Sequence, residues 1–400
     1  GESRYKISGQ NKTLQRVTTS SLDALKQYSL GIEAQVMTGD LSSAISYFEN
    51  AIRLDSNFTA AKASLGNLLY QFFDQEKGIF WLNEAKKSLD NLTEVERLSI
   101  LAFYAANVEQ NLDKSIEFTR MQLELYPDRI GSRNNLAFYL QIRGDYEESV
   151  QEYKKLLRLD PFQMISYNGL IATYLRRLGE IDSALLWTEK LITIDPENGW
   201  GYFFQGSCYF ALGDYEQAKT GLENANRLAP GVPLIMYRLA HTYRVLGMYN
   251  EAIVVLNSIL QLYDQEASAY YQMGVCYEMM GLADKAEENY LSYKAFVDRW
   301  EQNNPEEAST YFSKGIVLSR LGKMEEGFKA GMKAYELDSS AHFNFARFLA
   351  VQGRTEEALD HLELSLEQGY RQIVWIKMEA NMSLLWDEPR YQELLDLYFF

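Results

Sequence analysis

Few residues of this 400-residue chain could carry reaction chemistry. Three histidines and two cysteines leave little room for a histidine-based metal site and exclude a multi-cysteine zinc or iron–sulfur module. No His-Glu-x-x-His occurs. Gly322-Lys323 lacks both the upstream glycine and the following Ser/Thr of a phosphate loop. Gly199-Trp200-Gly201 is followed by Gly206, two residues too far for a dinucleotide fingerprint. The carboxylate pairs Glu147/Glu148, Glu306/Glu307, Glu325/Glu326 and Glu356/Glu357 could in principle serve as acid and base. They sit where second helices are expected to start, and there the helix dipole favours negative charge. The expectation is a chain that is not an enzyme and needs no metal or cofactor. The residues left with chemical character are arginines interleaved with aromatics, the types enriched where proteins grip other proteins.

The composition narrows the partners. A formal charge of −16, from 39 Lys+Arg against 55 Asp+Glu, argues against coating nucleic acid, whose affinity rests on neutralising phosphates. Hydrophobic residues make up 47%, enough for a large core. Seven prolines in 400 residues suit long helices. No apolar run approaches the roughly 20 residues needed to span a bilayer, so no membrane insertion by this segment is expected. The chain opens at Gly1 without a methionine and reads as a fragment or mature chain. Its compartment stays open, with cytoplasmic and periplasmic placement both compatible.

The elements that must position the arginines show themselves as repeats. Gly144, Gly179, Gly213, Gly247 and Gly281 are separated by 35, 34, 34 and 34 residues, and each leads five residues later to a small residue. Gly39 belongs to the same series. Phe73 and Gln110 fall in the glycine slot of repeats two and three, and Gly322 and Gly353 continue the series to ten repeats. Leu-Asp-Pro, Ile-Asp-Pro and Leu-Ala-Pro at 159–161, 194–196 and 228–230 close units. Apolar spacing between these landmarks is helical, so each unit reads as helix, glycine turn, helix. Thr93-Glu94-Val95-Glu96 reads as a capped helix start. Repeat eight's second helix is expected to run on through Trp300 until 301–305 break it. Cys208 and Cys276 occupy equivalent positions two units apart, on the order of 20 Å given packed helices ~10 Å apart. They are therefore expected to be reduced and buried. Residues 1–20 read as a polar linker or arm, 21–369 as the array, and 370–400 as a C-terminal capping segment. The apolar Leu397-Tyr398-Phe399-Phe400 would either close the last repeat or mediate self-association.

In repeat six, Tyr202, Gly206, Tyr209, Ala218, Leu222, Ala225 and Pro230 stand at the spacing of the tetratricopeptide repeat, which the chain resembles over most of its length. Repeats seven and eight continue with Ala240/Tyr243/Ala252 and Gly274/Tyr277/Ala286. The resemblance implies an all-α, right-handed superhelical solenoid of about ten helix-turn-helix repeats with a C-terminal capping helix. Val17–Leu25, Leu92–Arg97 and the tail from Gln368 to Tyr391 look like the repeat regions of bacterial signalling proteins that carry a kinase, adenylate cyclase or winged-helix effector upstream. A membrane span can lie upstream in such proteins. Four sequons, Asn11, Asn57, Asn91 and Asn381, are expected by chance.

The resemblance places ligand contacts on the first helix of each pair, the concave face. Carried over residue by residue, it points to Asn135 in repeat four and to Arg176 and Arg177 in repeat five. Repeat six contributes Trp200, Phe203 and Phe204. Repeat seven contributes Tyr237, Arg238, His241 and Arg244, and repeat eight Tyr271. Arg320, Asn344 and Arg347 extend the series. These residues suit a protein or peptide partner presenting an acidic segment, since arginine grips a carboxylate with two parallel bonds. The competing assignment packs the aromatics between repeats and pairs the arginines with neighbouring glutamates. At the level of function, a noncatalytic interaction scaffold stands beside a ligand sensor that passes a shape change to a missing effector domain. Partner identity and oligomeric state are not encoded legibly.

Overall fold

The computed structural model describes residues 19–35, 39–263 and 266–399. Residues 1–18 of the expected arm and Phe400 lie outside them. The described chain is all α, with no strand, and divides into two compact units between residues 161 and 162.

In the first unit four helix pairs follow one another: α1 (Leu22–Glu33) with α2 (Leu41–Leu54), α3 (Thr59–Phe72) with α4 (Gln75–Lys86), α5 (Glu94–Asn107) with α6 (Leu112–Leu125), and α7 (Ile130–Arg143) with α8 (Tyr146–Leu159). The second unit adds six pairs. They are α9 (Met164–Thr173) with α10 (Ile181–Ile194), α11 (Gly199–Leu212) with α12 (Tyr215–Leu228), α13 (Pro233–Val245) with α14 (Tyr249–Leu262), α15 (Ser268–Met279) with α16 (Ala283–Asn303), α17 (Ala308–Arg320) with α18 (Met324–Leu337), and α19 (His342–Val351) with α20 (Thr355–Glu367). These ten pairs coincide with the ten sequence repeats, and α16, with 21 residues against 14 in each of α14 and α18, runs to Asn303, about two turns longer than either.

Local chemistry explains the boundaries. Asp40, Asp74, Asn111 and Asp214 accept from the backbone N–H three residues on, satisfying a donor the helix start leaves free. Thr93 and Glu96 form a reciprocal capping box, with the Thr93 N–H donating to Glu96 Oε2 at 2.9 Å. Repeat two turns at Phe73 with φ −134°, but in the other nine repeats the turn after the first helix holds a residue with positive φ. Gly213 supplies it at φ 85°, at no steric cost. In repeat three Gln110 holds the same slot at φ 51°, where a side chain crowds its own backbone.

Small residues set how closely paired helices approach. A Cβ on Gly206 would stand 2.9 Å from the Ala218 carbonyl, and one on Gly221 3.0 Å from the Gly206 Cα. Elsewhere an aromatic fills the gap left by glycine: a Cβ on Gly274 would stand 2.5 Å from the Tyr290 ring. Cys208 and Cys276 are buried and form no disulfide, as two thiols in equivalent slots should. Burial pushes the Cys208 thiol up to about 12.

Relieving the backbone strain in repeat three gives a direct check on the repeat assignment. Gln110→Gly is expected to raise stability by up to about 1 kcal/mol, the penalty of the left-handed conformation less glycine's extra freedom when unfolded, measured by urea denaturation.

Candidate functional site

Past Gly369 the chain leaves the repeat pattern and turns into the second unit. Helix α21 (Ile373–Met378) packs against α11 and α13, a 3-10 turn over Met382–Leu385 packs against α19, and α22 (Pro389–Phe399) packs against α20. The first helices of repeats six to ten thus form a wall whose facing element is the chain's own C-terminal segment. Apolar burial accounts for most of this docking. Ile376, Met378, Met382, Leu385, Tyr391, Leu394 and Leu395 are all buried, and each contributes about 1.5–3 kcal/mol relative to exposure. Tyr370 stacks on Phe343 with ring centroids 4.6 Å apart. Phe399 reaches the turn after α9, where a Cβ on Gly179 would stand 3.4 Å from its ring. Leu397 stays exposed.

Between α21 and the 3-10 turn, residues 379–381 are irregular, and their polar groups need partners away from water. The wall supplies them. Arg244, itself buried, donates from Nη2 to the Met378 carbonyl. Glu379 is 1% exposed and pairs with Arg347 at 3.0 Å. Its Oε1 also accepts from Asn381 Nδ2 at 2.8 Å. Asn381 Oδ1 accepts from the Tyr271 hydroxyl at 2.6 Å and from Arg320 Nη2 at 3.0 Å. Arg320 in turn pairs with Glu278 at 3.0 Å. Burial opposes the charge on Arg347, but Glu379, Tyr271 and Tyr293 outweigh it and hold its pKa above the ordinary value. Asn381, a sequon in the sequence, is wholly buried within this network. Further along, Lys377 donates to the Ala211 carbonyl at 2.7 Å.

The residues singled out in the sequence divide accordingly. Arg238, His241, Arg244 and Tyr271 meet the C-terminal segment directly, His241 through a ring contact with Trp375 at 6.1 Å. Arg176 lines a cavity with Gln372 and Trp375. Trp200, Phe203 and Phe204 form one aromatic cluster at 5.4 to 6.5 Å, with Phe203 and Phe204 buried. Tyr237 donates to Glu266 at 3.2 Å. Arg177 is exposed, because a π-helical turn over Tyr174–Leu178 follows α9 and only its neighbour Arg176 turns inward. Asn135 is exposed on α7, in the first unit. Sequence reasoning missed Trp375, Met378, Glu379 and Asn381 as wall partners. Their signal was the loss of repeat period after Gly369, which shows that the segment does something else without showing where it goes.

His241 shows the electrostatic cost of the wall. Burial foremost, then Arg244 and Arg238, holds its imidazole well below the usual range. Among the described residues no group of His, Cys, Asp and Glu could hold a metal ion, and no helix is long and apolar enough to cross a membrane.

Comparison with known proteins places this architecture. Residues 129–159 and 339–363 match tetratricopeptide repeat models, and residues 177–259 match the model for subunit 3 of the anaphase-promoting complex, or cyclosome. A tetratricopeptide repeat-containing protein of Methanocaldococcus jannaschii is 24% identical over 54% of this chain and 39% of its own length. The bovine BBSome complex member BBS4 is 22% identical over 67% of this chain and 50% of its own. The chain therefore spans half or less of these relatives. A tetratricopeptide repeat protein from Parabacteroides merdae superposes with a TM-score of 0.49 at 16% identity, over 65% of this chain and 99% of that one. The matched segments support a tetratricopeptide-type repeat array.

Two outcomes test the site. Glu379→Ala is expected to cost about 2–3 kcal/mol in chemical denaturation, below the 3–5 of a fully buried pair because the Arg347 side chain is 21% exposed. The second concerns pH. Below about 6.5 the unfolded His241 takes up a proton that the folded one refuses, so stability is full above that pH and falls as pH drops through it. The fall in Tm from about pH 7.5 to about 5.5 is expected to be smaller in His241→Gln, with a remainder from His361, whose pKa burial also lowers.

Proposed function

We propose that this chain is a noncatalytic protein-interaction scaffold, the repeat region of a larger bacterial signalling protein, whose first-helix wall recognises an acidic, irregular peptide segment. One observation carries the reading: Arg244, Arg320 and Arg347 close on the Met378 carbonyl, the Asn381 side chain and the Glu379 carboxylate of an irregular stretch. The wall is thus chemically suited to the partner class its arginines and aromatics suggest, and the segment it holds is its own. A partner segment of like chemistry would compete with residues 373–383 for the same donors. Competition of this kind is intramolecular on one side, so an outside peptide meets an effective local concentration in the millimolar range or above.

A labelled peptide spanning residues 373–383 tests this in trans. Glu379→Lys in the full chain places a positive charge against Arg347 and weakens the tail's hold. The peptide is expected to bind this variant roughly tenfold or more tightly than wild type, and to lose that binding when Arg244→Ala is added. No binding to the Glu379→Lys protein, with helix content intact by circular dichroism, would reject the reading.

The docked segment also favours a second reading, a sensor. A segment with a seated and an unseated position is a two-state element that a ligand can bias, and an upstream kinase, cyclase or DNA-binding domain could respond to it. Ligand-dependent protection of α21 amides in hydrogen exchange would favour the sensor over a passive scaffold.

A further inference from the structure

Along the wall most of the buried and half-buried arginines have an acceptor. Arg244 has the Met378 carbonyl, Arg320 has Glu278, and Arg347 has Glu379. Arg176 and Arg238 differ. Neither forms an ion pair among the described residues, and Arg176 makes no hydrogen bond there either. Arg238 has only the Met378 thioether, with Nη1 2.6 Å from Sδ, and the Phe203 ring at 5.7 Å. Sulfur is a weak acceptor, and a ring face does not replace the hydration of a guanidinium.

Both arginines line the same cavity. Its volume is about 190 Å³, and Ser207, Gln372, Val374 and Trp375 complete the part that matters here. One water needs only about 10–15 Å³ of such space, so the cavity has room for a small organic molecule. One side is built by the repeats: Arg176 from the turn after α9, Ser207 from α11, Arg238 from α13. The other side is the C-terminal segment, through Gln372, Val374 and Trp375.

Two like charges at one half-buried cavity raise each other's cost, and neither has a carboxylate to offset it. Burial, and then Arg176, push the Arg238 guanidinium down to about 9. An anion in the cavity would supply what is missing, oxygens that accept paired bonds from both forks. The amide of Gln372 can donate to the same ligand, and Val374 and Trp375 offer an apolar face to its remainder.

We propose that the cavity between Arg176, Arg238 and residues 372–375 is a binding site for a small molecule carrying a carboxylate or phosphate group. Because three of its eight lining residues belong to the C-terminal segment, a bound anion holds that segment on the repeats. The inference goes beyond acidic-segment recognition and uses a different pair of arginines, so it stands or falls separately from the peptide experiment.

The test uses the full chain in a low-salt chloride buffer. Inorganic phosphate, acetate and benzoate are titrated separately, with sodium chloride at matched ionic strength as the control. Calorimetry and Tm are read for wild type, Arg238→Gln and Arg176→Gln. The expected result is saturable binding of at least one oxyanion and a Tm that rises with its concentration while chloride has no such effect. Affinity should weaken roughly tenfold or more in either variant. Saturation by phosphate alone assigns the site to phosphate-bearing ligands, and saturation by acetate or benzoate alone assigns it to carboxylic acids. Arg176 sits on a different element from Arg238 and gives an independent reading should Arg238→Gln not fold. Failure of all three anions to exceed chloride, or equal affinity in wild type and a folded variant, would overturn the proposal.

Discussion

Close approach of two helices at small residues is the constraint on which the rest of this protein depends. At Gly206 and Gly221 the paired backbones leave no room for a side chain, and at Gly274 the space belongs to Tyr290. A pair so formed buries only one side of each helix. The remainder must be covered by the next pair, which is why a single repeat has no independent core and why such units occur in arrays. Stacking commits Ala218, Leu222 and Ala225, all wholly buried, to the contacts within and between pairs. The positions not committed, on the first helices, are left to form a surface, and there the sequence places arginine and aromatics.

That surface poses a problem of desolvation. Arginine can be taken out of water only when its donors find acceptors. In the second unit the C-terminal segment solves most of it. Its apolar residues provide the larger share of the binding energy, and its irregular backbone and Glu379–Asn381 side chains provide specificity. The division is physical: burial of Ile376 or Leu385 would be satisfied by many placements along an apolar wall. A carbonyl on Arg244, a carboxylate on Arg347 and an amide oxygen shared by Tyr271 and Arg320 are satisfied together by one register. Arg176 and Arg238 lie beyond the reach of these acceptors, and that leaves an unbalanced pair of charges inside the unit.

The first unit has a different surface. A cavity of about 230 Å³ there is lined by Tyr28, Ser64, Asn67, Glu96, Phe103 and Arg129 among others. With one arginine and one glutamate it has no excess of positive charge, and on α7 Asn135 and Phe138 stand exposed. Acidic-segment chemistry is therefore concentrated in the second unit, although the repeat pattern runs through both.

What the sequence determined by itself was everything governed by contacts a few residues apart: ten helix pairs, the glycine turns, the capping box at Thr93, the overlong α16 and the buried thiols. Even Gln110 in a glycine slot was visible, because turn geometry depends on a fixed offset from the helix end. The first-helix positions of Arg238, His241, Arg244 and Tyr271 followed from the same counting. Counting did not foresee the π turn that leaves Arg177 exposed, nor that Phe203 and Phe204 would be buried in packing. Only the tertiary structure decided what faces the wall. Arg238 meets Met378 across 140 residues and Lys377 meets Ala211 across 166, and no periodicity links such distant positions. Their pairing is selected by the summed burial of a segment with no repeat pattern of its own, a quantity that exists only once the helices have stacked.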